Sequence, residues 1–271
     1  MVIYWLLKAV LSPLLFALWR VRVRGARGVP LRGAAILAAN HQSFCDSFFL
    51  PLVMVRRVTY VAKAEYFDDW RTAWFFRAAG QIPIRRGGGP ASERALQSAT
   101  DVLHRGGLFA IYPEGTRSPD DSLHKGHTGV ARLALETGAP IFPVGILGTR
   151  AVQPIGARLM RPFRPVEIRI GEPIDVSRFA DHNDPLVLRQ ITDQVMFEIS
   201  RLTGQPYIDA YASRDRAVLA GPAQPARMVP AVDLAVLEGG DPPGNGSSLA
   251  GVETQPGNGH GAVRTAPPGP V

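Results

Sequence analysis

Hydrophobic positions change period several times between residues 21 and 170. Short apolar and β-branched runs alternate with stretches whose apolar residues recur every three or four positions. That alternation predicts an α/β fold, with a mixed, largely parallel sheet of about seven strands flanked by helices. The strands fall near Val21–Val23, Ala35–Ala39, Val58–Val61, Gln81–Ile84, Leu108–Tyr112, Ile141–Ile146 and Val166–Ile170.

Three helices carry explicit start or stop signals. Ser92–Arg105 puts Ala95, Leu96, Ala99, Val102 and Leu103 on one face, with His104 and Arg105 in the last turn and Gly106 beyond. Gly129–Thr137 stops at Gly138 and leads through Ala139 and Pro140 into the strand at Ile141, closing a βαβ unit. The last helix has Asp184 as N-cap, Pro185 in its first turn and Gly204 at its end. Leu188, Ile191, Val195, Ile199 and Leu202 form its apolar stripe.

The two ends of the chain differ from this middle, which is expected to fold as one domain over residues 21–212. Met1 to Trp19 is apolar apart from Lys8 and Ser12, and Arg20, Arg22 and Arg24 follow. A signal peptide would carry its charge before the apolar run and small residues after it, the reverse of this order. Roughly 19 helical residues within the segment 1–20 would cover about 28 Å, slightly short of a bilayer core, and Pro13 is expected to interrupt the helix midway. The segment therefore reads as a membrane-associating helix, spanning or lying on the bilayer, with its arginines at the cytoplasmic headgroups. A buried core helix is the alternative. Over residues 213–271 glycine, proline and small polar residues dominate, so this tail is expected to be disordered. Only Met228–Leu237 is apolar enough for a short helix.

Charge and cysteine usage narrow the partners. The net charge of +7 comes mostly from arginine, since Lys8, Lys63 and Lys125 are the lysines. Such a balance favours phosphate-bearing partners, anionic lipid among them. No nucleic-acid partner is expected, because no basic recognition helix or known module accompanies the charge. The single cysteine, Cys45, excludes a disulfide framework and a thiolate metal centre, and fits a reducing, cytosol-facing compartment.

Three clusters carry chemistry. Asn40-His41-Gln42-Ser43-Phe44-Cys45-Asp46 lies between the strand ending at Ala39 and a helix over Ser47–Val55, hence on a strand-to-helix turn. Across such a turn Asp46 can fold back onto His41, fix Nδ1 and leave Nε2 as a base. That is half of a hydrolase triad, and it suits a substrate that brings its own hydroxyl. Ser43, Ser47 and Cys45 are alternative nucleophiles, although none sits in a Gly-x-Ser-x-Gly elbow. Tyr112-Pro113-Glu114-Gly115-Thr116-Arg117-Ser118 leaves the next strand where α/β sheets hold ligands. Arg117 offers a fork for phosphate oxygens, Thr116 and Ser118 offer hydroxyls, and Gly115 permits close backbone approach. Gly80-Gln81-Ile82-Pro83-Ile84-Arg85-Arg86 ends a strand in two further cations. Lys125 follows closely enough to reach the same phosphate, and His124 and His127 lack the companions of a metal site.

Taken together and in this order, the clusters resemble those of the lysophosphatidic acid acyltransferase family and its glycerol-3-phosphate acyltransferase relatives, over roughly residues 24–171. Tyr112 stands where that family usually has phenylalanine. The resemblance implies His41 as general base, oriented by Asp46, with Arg86, Glu114, Gly115 and Arg117 binding the glycerophosphate acceptor. Pro143 would be structural or close to the acyl donor. It further implies a thioester donor carried by coenzyme A or an acyl-carrier protein, lysophosphatidic acid as acceptor, no cofactor or metal, and attachment to the membrane that holds the lipids. Glycerol-3-phosphate, another lysophospholipid or a glycolipid are alternative acceptors. A non-catalytic protein binding anionic lipid is the alternative of another class.

Overall fold

The computed structural model describes residues 2–84, 89–179 and 184–212. In chain order the elements are α1 (Val2–Leu18), β1 (Arg20–Arg24), β2 (Ala35–Ala39), α2 (Asp46–Val53), β3 (Val58–Thr59), β4 (Val61–Lys63), α3 (Glu65–Asp68), α4 (Trp70–Ala79), β5 (Ile82–Ile84) and α5 (Gly89–His104). They continue as β6 (Leu108–Ile111), β7 (Leu123–His124), α6 (Gly129–Thr137), β8 (Ile141–Leu147), α7 (Thr149–Val152), β9 (Pro165–Ile170), α8 (Pro185–Thr203) and β10 (Tyr207–Ile208). The tail over 213–271, its expected short helix, Arg85 and Arg86 lie outside the described residues.

All seven expected strands form, but they do not share one sheet. Six stand in the order β1-β9-β8-β2-β6-β3. The strand expected over Val58–Val61 divides at Tyr60, and its second part, β4, pairs with β5 in a separate two-stranded ribbon. Strands β8, β2, β6 and β3 are mutually parallel. β9 runs antiparallel to β8 and carries β1 parallel to itself at the sheet's edge.

β2 sits at the middle and is buried throughout, which is why it reads as an unbroken apolar run. Its residues alternate between two cores. Ala35, Leu37 and Ala39 pack with Phe49 and Leu50 of α2 and Leu15 of α1. Ile36 and Ala38 pack with Leu103 of α5, Leu133 of α6 and Ile191, Val195 and Ile199 of α8. The sheet is thus covered on both faces, and the loops after the parallel strands β2 and β6 leave at the same edge.

Helix ends follow the capping signals closely. Asp184 accepts a hydrogen bond from the Leu186 N–H, and Gly138 and Gly204 close α6 and α8 in left-handed conformations. The helix expected from Ser92 begins earlier, at Gly89.

α1 is unbroken through Pro13. Pro13 faces outward, where water can satisfy the carbonyl that loses its N–H partner. The helix turns Tyr4 and Leu15 inward and leaves Ile3, Leu6, Val10, Leu14 and Phe16 exposed. Lys8 of α1 donates to the carbonyls of Pro51 and Met54, closing the C-terminal end of α2. Burial lowers its ammonium to about 8. No helix among the described residues is long and apolar enough to cross a membrane.

Asn40 extends the ladder one residue beyond β2. Its side-chain carbonyl accepts from the Ile146 N–H at 2.7 Å, and its amide donates to the Ile146 carbonyl at 2.9 Å and to Gln205 Oε1 at 2.8 Å. Asn40→Ala would leave both backbone groups of Ile146 buried without these partners. It should therefore cost about 3 kcal/mol, read as a lower urea midpoint at unchanged slope; an unchanged midpoint would mean that water replaces the amide.

Candidate active site

The turn after β2 wraps around one carboxylate oxygen. Asp46 Oδ2 accepts the N–H groups of Gln42 at 2.7 Å and Ser43 at 2.8 Å, and lies 2.9 Å from His41 Nδ1. With that oxygen accepting throughout, the ring proton belongs on Nδ1, and Nε2 is left facing the cavity without a partner among the described residues. Asp46 is the first residue of α2 and is fully buried, so helix and turn together fix the carboxylate. The pairing expected across the turn is present.

A second loop holds His41 from below. Glu114 Oε1 accepts the His41 N–H and Oε2 accepts the His124 N–H, each at 3.0 Å, while Ser118 N–H donates to the His41 carbonyl at 2.7 Å. Tyr112 stacks on the imidazole with centroids 3.9 Å apart and planes 10° apart, and its hydroxyl meets Ser47 Oγ at 3.1 Å. The tyrosine in place of phenylalanine therefore adds an anchored hydroxyl to the stack.

The expected substrate residues divide between ligand space and support. Gly115, Thr116 and Arg117 line a cavity of about 1000 Å³ together with His41. Gly115 has φ 69°, and a Cβ there would come within 3.1 Å of His127, so glycine is required. Arg117 makes no hydrogen bond or ion pair among the described residues. Glu114 is buried away from the cavity and holds backbone instead. Lys125, expected to reach the phosphate, is ion-paired with Asp209 at 2.8 Å and is not among the cavity-lining residues. Arg86 lies outside the described residues. Pro143 is buried within β8, against Gly171, and plays a packing role there.

Two of the three alternative nucleophiles are sealed off from the cavity, whereas Ser47 lines it with its hydroxyl beside that of Tyr112. Ser43 donates to the Gln153 carbonyl and is fully buried. Cys45 is equally buried, and burial pushes its thiol up to about 12. His124 is bonded through Nε2 to Asp120, and His127 stacks on Tyr211.

The cavity wall was not legible in the sequence. Phe44 and Phe48 of the turn and α2, Tyr66 of α3, and Phe75 and Phe76 of α4 form an aromatic section, continued by Tyr4, Leu7 and Leu11 of α1. The aromatic run in α4 was a usable signal, but only the chain path brings it opposite His41. Arg150 was also missed: it donates to the carbonyls of Ser118 and Pro119 and pairs with Asp121, bracing the loop that carries Arg117.

Known proteins are similar to this chain in sequence and in fold. Residues 20–147 match the family model described as Acyltransferase. The crystal structure of the 1-acyl-sn-glycerophosphate acyltransferase PlsC from Thermotoga maritima superposes with a TM-score of 0.53 at 31% identity, covering 67% of this chain and 71% of that one. A chloroplastic 1-acyl-sn-glycerol-3-phosphate acyltransferase of Arabidopsis thaliana is 26% identical over 165 residues, 60% of this chain and 46% of its own length. A lyso-ornithine lipid O-acyltransferase of Pseudomonas aeruginosa is 36% identical over 130 residues, 47% of each chain. The chain spans about half the length of these curated relatives. It belongs to the acyltransferase family that contains the 1-acyl-sn-glycerol-3-phosphate acyltransferases.

Burial raises the Glu114 carboxyl to about 8 against the two N–H donors that pull it down. A folded value above the ordinary 4.5 means that folding takes up a proton between the two. The contribution to stability is then complete below pH 4.5 and is lost as pH rises through about 8. Glu114→Gln should remove this part of the pH dependence while lowering stability at all pH values, since its amide can accept only one of the two N–H groups. Denaturation midpoints across that range check it; parallel curves for the two proteins would place the Glu114 titration elsewhere.

Proposed function

We propose that the protein transfers a fatty acyl group from a thioester to the free hydroxyl of 1-acyl-glycerol-3-phosphate, giving phosphatidic acid, at a membrane surface. The observation that carries this reading is the His41–Asp46 pair opening into a cavity that is aromatic along one wall and holds, on another, Arg117, which has no ion-pair partner among the described residues.

His41 Nε2 takes the proton from the acceptor hydroxyl as its oxygen attacks the thioester carbonyl carbon. The tetrahedral intermediate collapses with cleavage of the carbon–sulfur bond, and the departing thiolate recovers the proton from the imidazolium. The products are an ester and a free thiol. Asp46 keeps the ring in the required tautomer and steadies its charged form. Arg117 holds the acceptor phosphate, and Thr116 and Gly115 shape its seat. The aromatic wall takes the acyl chain and keeps water from the thioester. Coenzyme A or an acyl-carrier protein delivers the acyl group, and the chemistry as written calls for no metal or other cofactor. The exposed apolar face of α1 lies on the lipid, with Arg20, Arg22 and Arg24 at the anionic cytoplasmic leaflet.

The likeness to a lyso-ornithine lipid O-acyltransferase favours one rival acceptor, a lysolipid without phosphate. Thiol release from palmitoyl-CoA should be followed with lysophosphatidic acid, glycerol-3-phosphate, lyso-ornithine lipid or no acceptor, with product masses recorded. Release is expected with lysophosphatidic acid. His41→Ala should lower it by about 10²–10⁴-fold with an unchanged circular dichroism spectrum, and Arg117→Ala should raise KM for the phosphate-bearing acceptor by about tenfold. Wild-type turnover in His41→Ala would sink the mechanism, and turnover with lyso-ornithine lipid alone would replace the acceptor.

A further inference from the structure

Between α7 and β9 the chain makes an irregular loop over residues 154–164. Ile155, Leu159 and Phe163 are exposed there, Leu159 by 82% and Phe163 by 67%. Arg158, Arg161 and Arg164 alternate with them and are exposed as well. No aspartate or glutamate occurs between Glu136 and Glu167. Single apolar residues on a surface are ordinary, so the arrangement decides what this loop does.

The loop is docked on the end of α1. Phe163 N–H donates to the Leu18 carbonyl at 2.7 Å, and Trp19 Nε1 donates to the Arg161 carbonyl at 2.8 Å. Its exit, Pro165, pairs with Arg20 on β1, whose Arg20, Arg22 and Arg24 are all exposed, Arg24 being shared with Glu167. Its entrance borders the cavity through Pro154, Gly156 and Ala157, which α1 borders too. Phe163 has φ 60°, a conformation bulky residues rarely adopt. The strained residue places its ring outward instead of into the core.

We propose that residues 154–164 form a second membrane contact, seating Leu159 and Phe163 among the headgroups of an anionic bilayer while Arg158, Arg161 and Arg164 hold its phosphates. With α1 they bring the cavity against the lipid from two sides, so that a lysolipid enters and its product leaves without crossing water. Alternating apolar and cationic side chains suit that interface, where apolar groups sink to the acyl boundary and arginines remain at the phosphates. This inference rests on the reading that α1 faces a membrane, and the test separates the two.

Cys45 is fully buried, so a cysteine introduced at the surface can be labelled selectively in the full chain. Leu159→Cys and, separately, Val10→Cys would carry a nitrobenzoxadiazole dye and be mixed with vesicles of phosphatidylcholine with or without phosphatidylglycerol. Emission from both should rise and shift to the blue, and the response at residue 159 should need phosphatidylglycerol and weaken with salt. The unlabelled double variant Leu159→Ser, Phe163→Asn should bind anionic vesicles about tenfold more weakly with an unchanged melting temperature, asparagine being tolerant of positive φ. A response at residue 10 without one at residue 159 would overturn the proposal and leave the α1 reading intact; silence at both would remove both. A response at residue 159 that follows protein concentration without vesicles would make the loop a contact between copies of the chain, which also overturns it.

Discussion

A single buried carboxyl group ties the site together. Glu114 accepts the backbone N–H groups of His41 and His124, and so joins the loop after β2 to both ends of the loop between β6 and β7. Loops that leave a parallel sheet independently would otherwise drift by more than an acid–base step tolerates. Side chains can then be aimed from a fixed base: Asp46 and Tyr112 set the imidazole ring, and Ser118 holds its carbonyl. The proposed reaction would run through His41, but the geometry of that residue is set one layer beneath, by a residue that does not line the cavity.

The parts legible in the sequence are those with local causes. Capping and glycine stops marked α6 and α8 because these signals act within one helical turn. The apolar run Ala35–Ala39 announced a strand, and the spacing of His41 and Asp46 made sense on the turn that follows it. What stayed hidden depends on distant chain paths. The strand Val58–Val61 gave no sign of dividing at Tyr60, since leaving one sheet for another is settled by what lies beside it. Lys125 looked like a phosphate ligand because of its distance in sequence from Arg117, and Asp209 claims it from 84 residues away. Glu114 has the residue type of a ligand-binding carboxylate, and only the fold shows that it faces backbone. Pro13 should have broken α1, but an exposed carbonyl can turn to water.

The cavity joins two kinds of wall that the acyl-transfer reading needs at once. One comes from the sheet's loops and is polar, with His41, Thr116 and Arg117. The other comes from helices packed outside the sheet, α2, α4 and α1, and is largely aromatic and aliphatic. A thioester placed where these walls meet would have its carbonyl beside the base and its chain out of water. Because α1 supplies part of the second wall, the element expected to touch lipid also shapes the chamber.

The residues that brace the site arrive late in the chain. Gln205 bonds to Asn40 at the end of β2 and to the Asp121 carbonyl, and Tyr211 stacks on His127, all from the segment after α8. During synthesis α1 therefore leaves the ribosome well before the last of these braces, which come some two hundred residues later. With α1 on lipid and His41 as the base, both as proposed, a nascent chain would settle on the bilayer before its site is assembled, and reactivity toward thioesters would begin where the protein is already in place.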